Sequence, residues 1–269
     1  MIINKWFNKL RRPKILNVSY DSVQGSTAVI FLHGIASNSD TWKPVLPIIP
    51  SIYRSITIDL LGFANSPKPT YLDYTVKDHA RAVIRTINKL KVKTPYILVG
   101  HSMGGLIAVE IAKIEPKSVK QLILVSTPIY NSNDISKQTR IYNSNKKTVT
   151  NILFYIYDLL IEKQTLTLKA VQKILKVAPS GFPLMLDESS WYPFKMSLKK
   201  TIMQQKTMLD INKLQIPIVF LYGRLDALII ANNYNKLAKN NSKIKIIKTN
   251  SMHIISKNMS KKIIYSLKK

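Results

Sequence analysis

Cysteine is absent from this sequence of 269 residues, and long apolar runs and acidic residues are scarce. The lack of cysteine excludes disulfides, thiolate metal sites and a cysteine nucleophile. No window approaches the ~18 uninterrupted apolar residues that a membrane-spanning helix needs, and the first residues lack the apolar segment of a secretory signal. We therefore expect a soluble protein with a cytoplasmic location, or one peripheral to the membrane. The length suits one large α/β domain or a core with an inserted subdomain.

Acidic residues number only 14 against 41 lysines and arginines, which gives a net charge of +27. Such a charge attracts phosphates through counterion release, so nucleic acid and anionic membranes are partners to consider. Only seven of the basic residues are arginine, the residue favoured for bidentate phosphate and base contacts, and no nucleic-acid-binding motif is present. Lysine, asparagine and isoleucine are abundant together, as a coding bias would produce. We expect no nucleic-acid partner.

Short apolar runs rich in β-branched residues alternate along the chain with longer segments of helical period. This alternation is typical of βαβ units and predicts an α/β fold, with a mostly parallel central sheet flanked by helices. The predicted helices are clearest at 75–91 and 103–115. The predicted strands are 15–20, 28–33, 54–58, 95–100, 121–126, 216–222 and 243–249.

The rhythm changes between residues 129 and 212, which lack good strand signals. NILFYIYDLLIEK and LTLKAVQKILKVA indicate amphipathic helices, and APSGFPLMLDESSWYPF indicates a connection rich in proline and aromatic residues. Because sheet signals resume at IPIVFLYG, we predict a helical cap, 129–212, inserted into a core of residues 1–128 and 213–269. Residues 1–12 have the pattern of a short amphipathic helix, for which packing on the protein or a frayed end is favoured over a membrane interface.

The stretch VGHSMGG contains the pattern G-x-S-x-G between an apolar run and a helical segment. In this context the serine occupies a sharp, strained turn that projects its hydroxyl above the sheet. Glycine is scarce, with 8 residues in the chain, so the pattern would arise by chance with a probability of roughly 0.02. Ser102 is therefore the candidate nucleophile.

A serine hydroxyl needs a base to accept its proton and an acid to orient that base. Among the four histidines, His253 lies in a predicted loop after KIKIIKT, whereas His79 lies within a helix, where a surface or core role is favoured. Asp226 follows the strand IPIVFLYG, and the order Ser102, Asp226, His253 is the one expected after a nucleophile elbow. Asp134 is the alternative acid, in a polar loop several residues past its strand.

An acyl-transfer site also needs N–H donors for the oxyanion of the tetrahedral intermediate. The Met103 N–H follows the nucleophile at a helix start, where the helix dipole favours negative charge. The Ile35 N–H follows the end of AVIFLHG, where Gly34 lets the backbone turn toward the serine; a plain strand-ending turn is the alternative. We expect His33, Gly34 and His101 to contribute to substrate binding beside these donors.

Together these segments resemble the α/β-hydrolase superfamily, in the branch with a Ser-Asp-His triad and a helical cap. FLHGIASNSDTW is similar to its oxyanion loop, ITIDLLGFANSPKP to its D-x-x-G-x-G-x-S segment, and VGHSMGG to its nucleophile elbow. FLYGRLDALI and NSMHIISKN are similar to its acid and histidine loops. The resemblance spans about residues 25–265, and the sequence departs from the family pattern at Met252 and Ala64, where glycine is common.

The resemblance implies hydrolysis of a small-molecule ester through an acyl-enzyme on Ser102, by a small or medium-chain carboxylesterase or a monoacyl-lipid esterase. Carbon-carbon bond or amide hydrolysis with the same triad, and a non-catalytic receptor-like role, are the alternatives. No metal or organic cofactor is implied. Residues 130–206 carry a net charge of +7, so an acidic carrier or an anionic membrane surface is a further candidate partner. Apolar side chains of the predicted cap suit an acyl chain or simply pack on the core: Phe154, Tyr155, Tyr157, Phe182, Met185, Trp191, Tyr192, Phe194 and Met196.

Overall fold

The computed structural model describes residues 12–130, 167–170, 173 and 185–268. Over these residues the chain forms one sheet of seven strands, and the fold is α/β. The strands are β1 (Val18–Asp21), β2 (Thr27–Leu32), β3 (Tyr53–Ile58), β4 (Tyr96–His101), β5 (Val119–Val125), β6 (Ile218–Gly223) and β7 (Ile244–Thr249). They lie in the order β1-β3-β2-β4-β5-β6-β7. Only β1 is antiparallel to its neighbour, so the predicted mostly parallel sheet is confirmed.

All seven predicted strands are present, and the largest shift is at the start of β1. The residues just before β1 were predicted to be part of the strand, but their N–H groups bond side chains outside the sheet. The Leu16 N–H donates to Thr86 Oγ1 at 2.9 Å, and the Asn17 N–H donates to Ser66 Oγ at 2.9 Å. These bonds keep the chain out of the sheet until Val18.

Six α-helices have both ends within the described residues, and residues 168–170 and 173 are helical as well. The six are α1 (Val76–Lys89), α2 (Met103–Ile114), α3 (Glu188–Ser197), α4 (Thr207–Ile211), α5 (Ala231–Asn240) and α6 (Lys257–Leu267). The two clearest predicted helices are confirmed as α1 and α2. A capping box begins α1, because Thr75 Oγ1 accepts the Asp78 N–H and the Asp78 carboxylate accepts the Thr75 N–H.

Helix α3 corrects the prediction of an irregular connection through residue 194. The Asp187 carboxylate accepts the Ser190 N–H at 2.7 Å, while Ser190 Oγ accepts the Asp187 N–H at 2.9 Å, and this capping box begins the helix. Pro193 lies inside α3 and removes one helical hydrogen bond, which is why the sequence disfavoured a helix here. The helix continues into a π-helical segment, Leu198–Met203.

This part of the predicted cap is fastened to the loop before helix α1. Tyr192 Oη donates to the Leu72 carbonyl at 3.2 Å, and Thr201 Oγ1 donates to the Tyr74 carbonyl at 2.8 Å. Among the aromatic residues predicted to line the cap, those of α3 pack against the core. Asp134, residues 1–11 of the predicted helix of residues 1–12 and most of the two earlier cap helices lie outside the described residues, so the cap boundaries stay a prediction.

The core has two apolar layers, one on each face of the sheet. Alternate residues of a strand point to opposite faces, so Val29 and Phe31 enter one cluster while Ile30 and Leu32 enter the other. The larger cluster includes residues of α1 and α2, and the smaller one includes Trp42 and residues of α6. No helix among the described residues is both long enough and apolar enough to cross a membrane.

Candidate active site

The three predicted triad residues follow strands β4, β6 and β7 at the carboxyl edge of the sheet. Because these strands are parallel, their carboxyl ends share one edge, which is where folds of this kind assemble ligand sites. Ser102 follows β4 directly, Asp226 lies three residues beyond β6, and His253 lies four residues beyond β7. Their exposed fractions are 4%, 6% and 2%, so all three are buried.

Ser102 occupies the strained turn that the sequence predicted. Its backbone has φ +52° and ψ −122°, a conformation that residues other than glycine rarely adopt, and helix α2 begins at the next residue. The Ser102 N–H donates to the Val125 carbonyl at 2.9 Å, which anchors the turn to β5. A side chain at Gly100 would overlap the backbone of Gly104, and one at Gly104 would overlap the Leu32 carbonyl. Both flanking glycines are therefore required by close packing.

Asp226 and His253 contact each other directly. His253 Nδ1 lies 2.8 Å from Oδ2 and 2.9 Å from Oδ1 of Asp226. An ionised carboxylate only accepts hydrogen bonds, so Nδ1 carries a proton, and in the neutral form of the ring Nε2 carries the lone pair. This is the tautomer that a general base for serine requires.

Asp226 is held as a carboxylate in a buried position. Burial alone would raise its pKa, but the charge and hydrogen bond of His253 and the bond from the Leu228 N–H, at 3.0 Å, lower the pKa below its usual range. The Asp226 N–H donates to the Gly223 carbonyl at 3.1 Å. This turn fixes the carboxylate immediately beyond β6.

His101 joins the serine turn to the histidine loop. Its Nε2–H donates to the carbonyl oxygen of His253 at 2.8 Å, and the two rings lie 5.1 Å apart. Burial, reinforced by the charge of His253, lowers the pKa of His101 to about 3, so its ring is neutral near pH 7. This bond gives His101 a contact that positions the His253 loop, and the predicted contact of His101 with substrate stays a prediction.

His33 is likewise engaged inside the protein. Its Nδ1–H donates to the Gly34 carbonyl at 2.7 Å, and its Nε2 accepts the Leu60 N–H at 2.8 Å. The ring is 0% exposed, and burial lowers its pKa to about 4. Both ring nitrogens of His33 are hydrogen-bonded to the backbone and so support the turn, and its predicted part in substrate binding stays a prediction.

The two predicted oxyanion donors lie on segments that adjoin Ser102. A Cβ atom placed on Gly34 would lie 3.2 Å from Ser102 Cβ, so the turn before Ile35 runs against the nucleophile. Met103 opens helix α2, where N–H groups of the first turn have no acceptor within the helix. One residue beyond Ile35, the Ala36 carbonyl accepts the Met185 N–H at 2.8 Å.

Asp59 organises the loop that carries Ile35, a role the sequence analysis did not assign. Its Oδ1 accepts the Ser39 N–H at 3.0 Å and the Ser39 hydroxyl at 2.7 Å, and its Oδ2 accepts Asn17 Nδ2 at 2.9 Å. Burial would raise the pKa of Asp59, but these hydrogen bonds lower it overall. The D-x-x-G-x-G-x-S pattern was the available signal. Nearby Ala64 has φ +46°, a left-handed conformation that explains why glycine is common there.

The described residues contain no group of three or more histidine, aspartate or glutamate side chains that could hold a metal ion. The alternative acid, Asp134, lies outside the described residues. The contact of His253 with Asp226, on loops at the same sheet edge as the Ser102 turn, is an arrangement that can activate a serine hydroxyl.

Comparison with known proteins decides the family. The sequence profile described as "alpha/beta hydrolase fold" matches residues 27–256. The chain belongs to the alpha/beta hydrolase family. The profile covers the turn of Gly34, the Ser102 turn and both later loops.

Over 130 residues the chain is 35% identical to "Probable lysophospholipase BODYGUARD 2" of Arabidopsis thaliana. That match covers 46% of this chain and only 26% of the plant protein. A longer match covers 86% of this chain and 89% of a pimeloyl-[acyl-carrier protein] methyl ester esterase of Legionella pneumophila (strain Corby), at 25% identity.

Solved structures of alpha/beta hydrolases share the fold over nearly the whole chain. The enol-lactonase from Burkholderia xenovorans LB400 superposes with a TM-score of 0.68 at 15% identity, covering 94% of this chain and 95% of that one. The esterase EaEST from Exiguobacterium antarcticum superposes with a TM-score of 0.67 at 18% identity, covering 95% and 97%. At these identities the likeness shows the fold alone.

Proposed function

We propose that this alpha/beta hydrolase cleaves carboxylic esters through an acyl-enzyme on Ser102. The observation that carries the proposal is the hydrogen bond from His253 Nδ1 to Asp226, at the edge of the sheet where the strained turn holds the serine. The relatives named as a methyl ester esterase and a lysophospholipase support an ester substrate.

Acylation begins when Ser102 Oγ attacks the ester carbonyl carbon and its proton passes to His253 Nε2. Asp226 stabilises the imidazolium that forms, and the carbonyl oxygen becomes the oxyanion. The oxyanion accepts hydrogen bonds from the Met103 and Ile35 N–H groups. Collapse of the tetrahedral intermediate breaks the bond to the alcohol oxygen, which leaves with the proton from His253.

Deacylation repeats the same transfers with water. His253 Nε2 removes a proton from a water molecule, whose oxygen attacks the acyl carbon. The second tetrahedral intermediate uses the same two N–H donors, and its collapse returns the proton to Ser102 Oγ. The products are a carboxylic acid and an alcohol, and the proposed reaction uses no cofactor.

The substrate class we propose is a small or medium-chain ester or a monoacyl lipid. The apolar side chains Trp191, Tyr192 and Met196 of helix α3 support an apolar acyl group. They pack against the core and are only partly buried, so part of each remains available to a substrate.

A panel of p-nitrophenyl esters of increasing chain length tests the proposal. We expect activity that falls by on the order of 10⁴-fold in Ser102→Ala and about as far in Asp226→Asn. Activity that survives Ser102→Ala would refute the nucleophile. Labelling by a fluorophosphonate without turnover of any ester would favour carbon-carbon or amide hydrolysis, and absence of labelling would favour a receptor-like role.

A further inference from the structure

Three large apolar side chains are exposed beside the buried acid and histidine of the site. Leu225 is 65% exposed, Met252 46% and Ile254 43%. Their two loops are joined, because the Leu225 N–H donates to the Ser251 carbonyl at 3.2 Å. We call Leu225, Met252 and Ile254 the apolar rim. Burying such a side chain stabilises a protein by about 1.5–3 kcal/mol, so a group of them left in water is a mark of a binding surface.

Three exposed cations lie on the segments that flank the apolar rim in the chain. Arg224 follows β6, Lys248 lies near the end of β7, and Lys257 begins α6, and all three are exposed. The Arg224 N–H donates to the Thr249 carbonyl at 2.8 Å, which brings the ends of the two strands together. The ion pairs found within the described part of the chain do not include these cations. We call Arg224, Lys248 and Lys257 the basic flank.

The charged side chains that follow Asp226 in the chain, apart from histidine, are all lysines. Residues 227–269 contain ten lysines and no aspartate or glutamate. Asp226, the last acidic residue of the sequence, is buried and bonded to His253, so it does not neutralise the surface. Four of the lysines lie on or next to α6 with their side chains exposed: Lys257, Lys261, Lys262 and Lys268.

We propose that the apolar rim and the basic flank dock this enzyme on an anionic lipid bilayer. Apolar side chains with cations beside them suit a bilayer. The apolar side chains enter the boundary between headgroups and acyl chains, while the cations meet lipid phosphates. An acidic protein would satisfy the cations but would offer no apolar phase to the rim. The inference rests on the proposed function, since docking brings the carboxyl edge of the sheet, and with it Ser102, to a supply of lipid esters.

Co-sedimentation with vesicles tests the docking surface without any need for catalysis. The protein is the full chain carrying Ser102→Ala, which prevents hydrolysis of the vesicles. The vesicles are phosphatidylcholine alone or phosphatidylcholine mixed with phosphatidylserine. We expect binding to the mixed vesicles, little binding to phosphatidylcholine, and release as ionic strength rises.

The docking variant adds Arg224→Glu, Leu225→Ser, Lys248→Glu and Lys257→Glu. The matched control adds Ile52→Ser, Lys89→Glu, Lys93→Glu and Lys117→Glu. Each of these control residues is exposed and lies near the opposite edge of the sheet, where the parallel strands begin or the preceding helix ends. The two variants lose the same charge and one apolar side chain each, so they differ only in place.

We expect the docking variant to lose on the order of 100-fold in vesicle partitioning, since each cation near an anionic surface contributes about fivefold. The control should lose about threefold or less. Equal losses in the two variants, equal binding to neutral vesicles, or no binding would overturn the proposal. Retention on polyglutamate without vesicle binding would replace the bilayer by an acidic protein.

Failure of docking can be told apart from failure of the esterase. The docking substitutions placed in the chain with Ser102 intact should leave hydrolysis of a short soluble ester within about twofold of the parent, because the four side chains are exposed whereas the triad is buried. If the parent protein hydrolyses soluble esters but does not bind vesicles, the docking proposal alone is overturned. If the parent protein binds vesicles but hydrolyses no ester, the proposed function alone is overturned.

Discussion

His101 Nε2–H donates a hydrogen bond of 2.8 Å to the carbonyl oxygen of His253, so the residue before the proposed nucleophile holds the backbone of the proposed base. The bond spans 152 positions of sequence and connects the end of β4 to the loop after β7. Position of the base relative to Ser102 is thus controlled from the serine turn itself.

Replacement of His101 tests this link. His101→Leu removes the donor, and we expect kcat for a short ester to fall by about 10- to 100-fold with a small change in KM, because the base is displaced and substrate binding is not. His101→Gln can place an amide N–H close to the original Nε2 and should recover kcat to within about threefold of the parent. Equal kcat values in the two variants would argue that the residue only fills space.

Asp59→Asn tests the loop that carries Ile35. The amide loses the charge that accepts three hydrogen bonds, and we expect a loss of about 2–3 kcal/mol in the free energy of unfolding together with a lower kcat. Asp78→Asn is the matched control, since it weakens the capping box of α1 by about 1 kcal/mol and lies away from the site. Urea unfolding and ester kinetics on both variants give the comparison. A kcat that is equally unchanged in both would remove Asp59 from the support of the oxyanion donors.

Three buried histidines should make the fold sensitive to acid. Burial lowers the pKa of His33 to about 4 and those of His79 and His101 to about 3, from an ordinary value of 6.5. The unfolded chain therefore binds more protons below pH 6.5, and stability is complete above that pH and falls as pH decreases through it. Each histidine contributes a slope of the free energy of unfolding against pH that approaches about 1.4 kcal/mol per pH unit. The three together contribute about 4 kcal/mol per pH unit.

Urea unfolding between about pH 7.5 and pH 5 measures this slope. His79 is the residue to vary, because its Nε2 contacts Ser197 Oγ in the core, at 3.0 Å, and takes no part in the site. His79→Gln should reduce the slope by about a third, whatever its effect on stability at neutral pH. A free energy of unfolding that stays level as the pH falls to about 5 would contradict the burial of neutral imidazoles.

Alanine substitutions at two glycines near Ser102 should have different effects, one on stability and one on kcat. Alanine at Gly104 would overlap the carbonyl of Leu32, so we expect a loss of about 2–3 kcal/mol in the free energy of unfolding. Alanine at Gly34 would meet Ser102 Cβ at 3.2 Å, a contact that a small shift relieves, but its methyl group would stand beside the nucleophile. We expect Gly34→Ala to fold normally and to lower kcat by about tenfold. Matching losses of stability in the two variants would show that packing alone explains both glycines.

Local sequence was sufficient for the features that depend on local chemistry. β-branched runs predicted all seven strands, and the G-x-S-x-G pattern predicted the strained turn at Ser102 because glycine is the only residue that fits at Gly100 and Gly104. The contact of Asp226 with His253 followed from the order of residues at the ends of parallel strands.

Features that depend on partners far along the chain could not be predicted. The hydrogen bonds of His33 to the Leu60 N–H and of His101 to the His253 carbonyl are examples, because no local pattern reveals either partner. Helix α3 was missed for the opposite reason, since Pro193 is a strong local signal against a helix and its capping box and burial against the core outweigh it.

The bond from the Met185 N–H to the Ala36 carbonyl links the segment before α3 to the loop of the oxyanion donors. Ala36 adjoins Ile35, so the segment before α3 supports the backbone of the proposed oxyanion donor through a residue 149 positions away. On the proposed function, a substitution near Met185 that breaks this bond would lower kcat even though it touches no member of the triad.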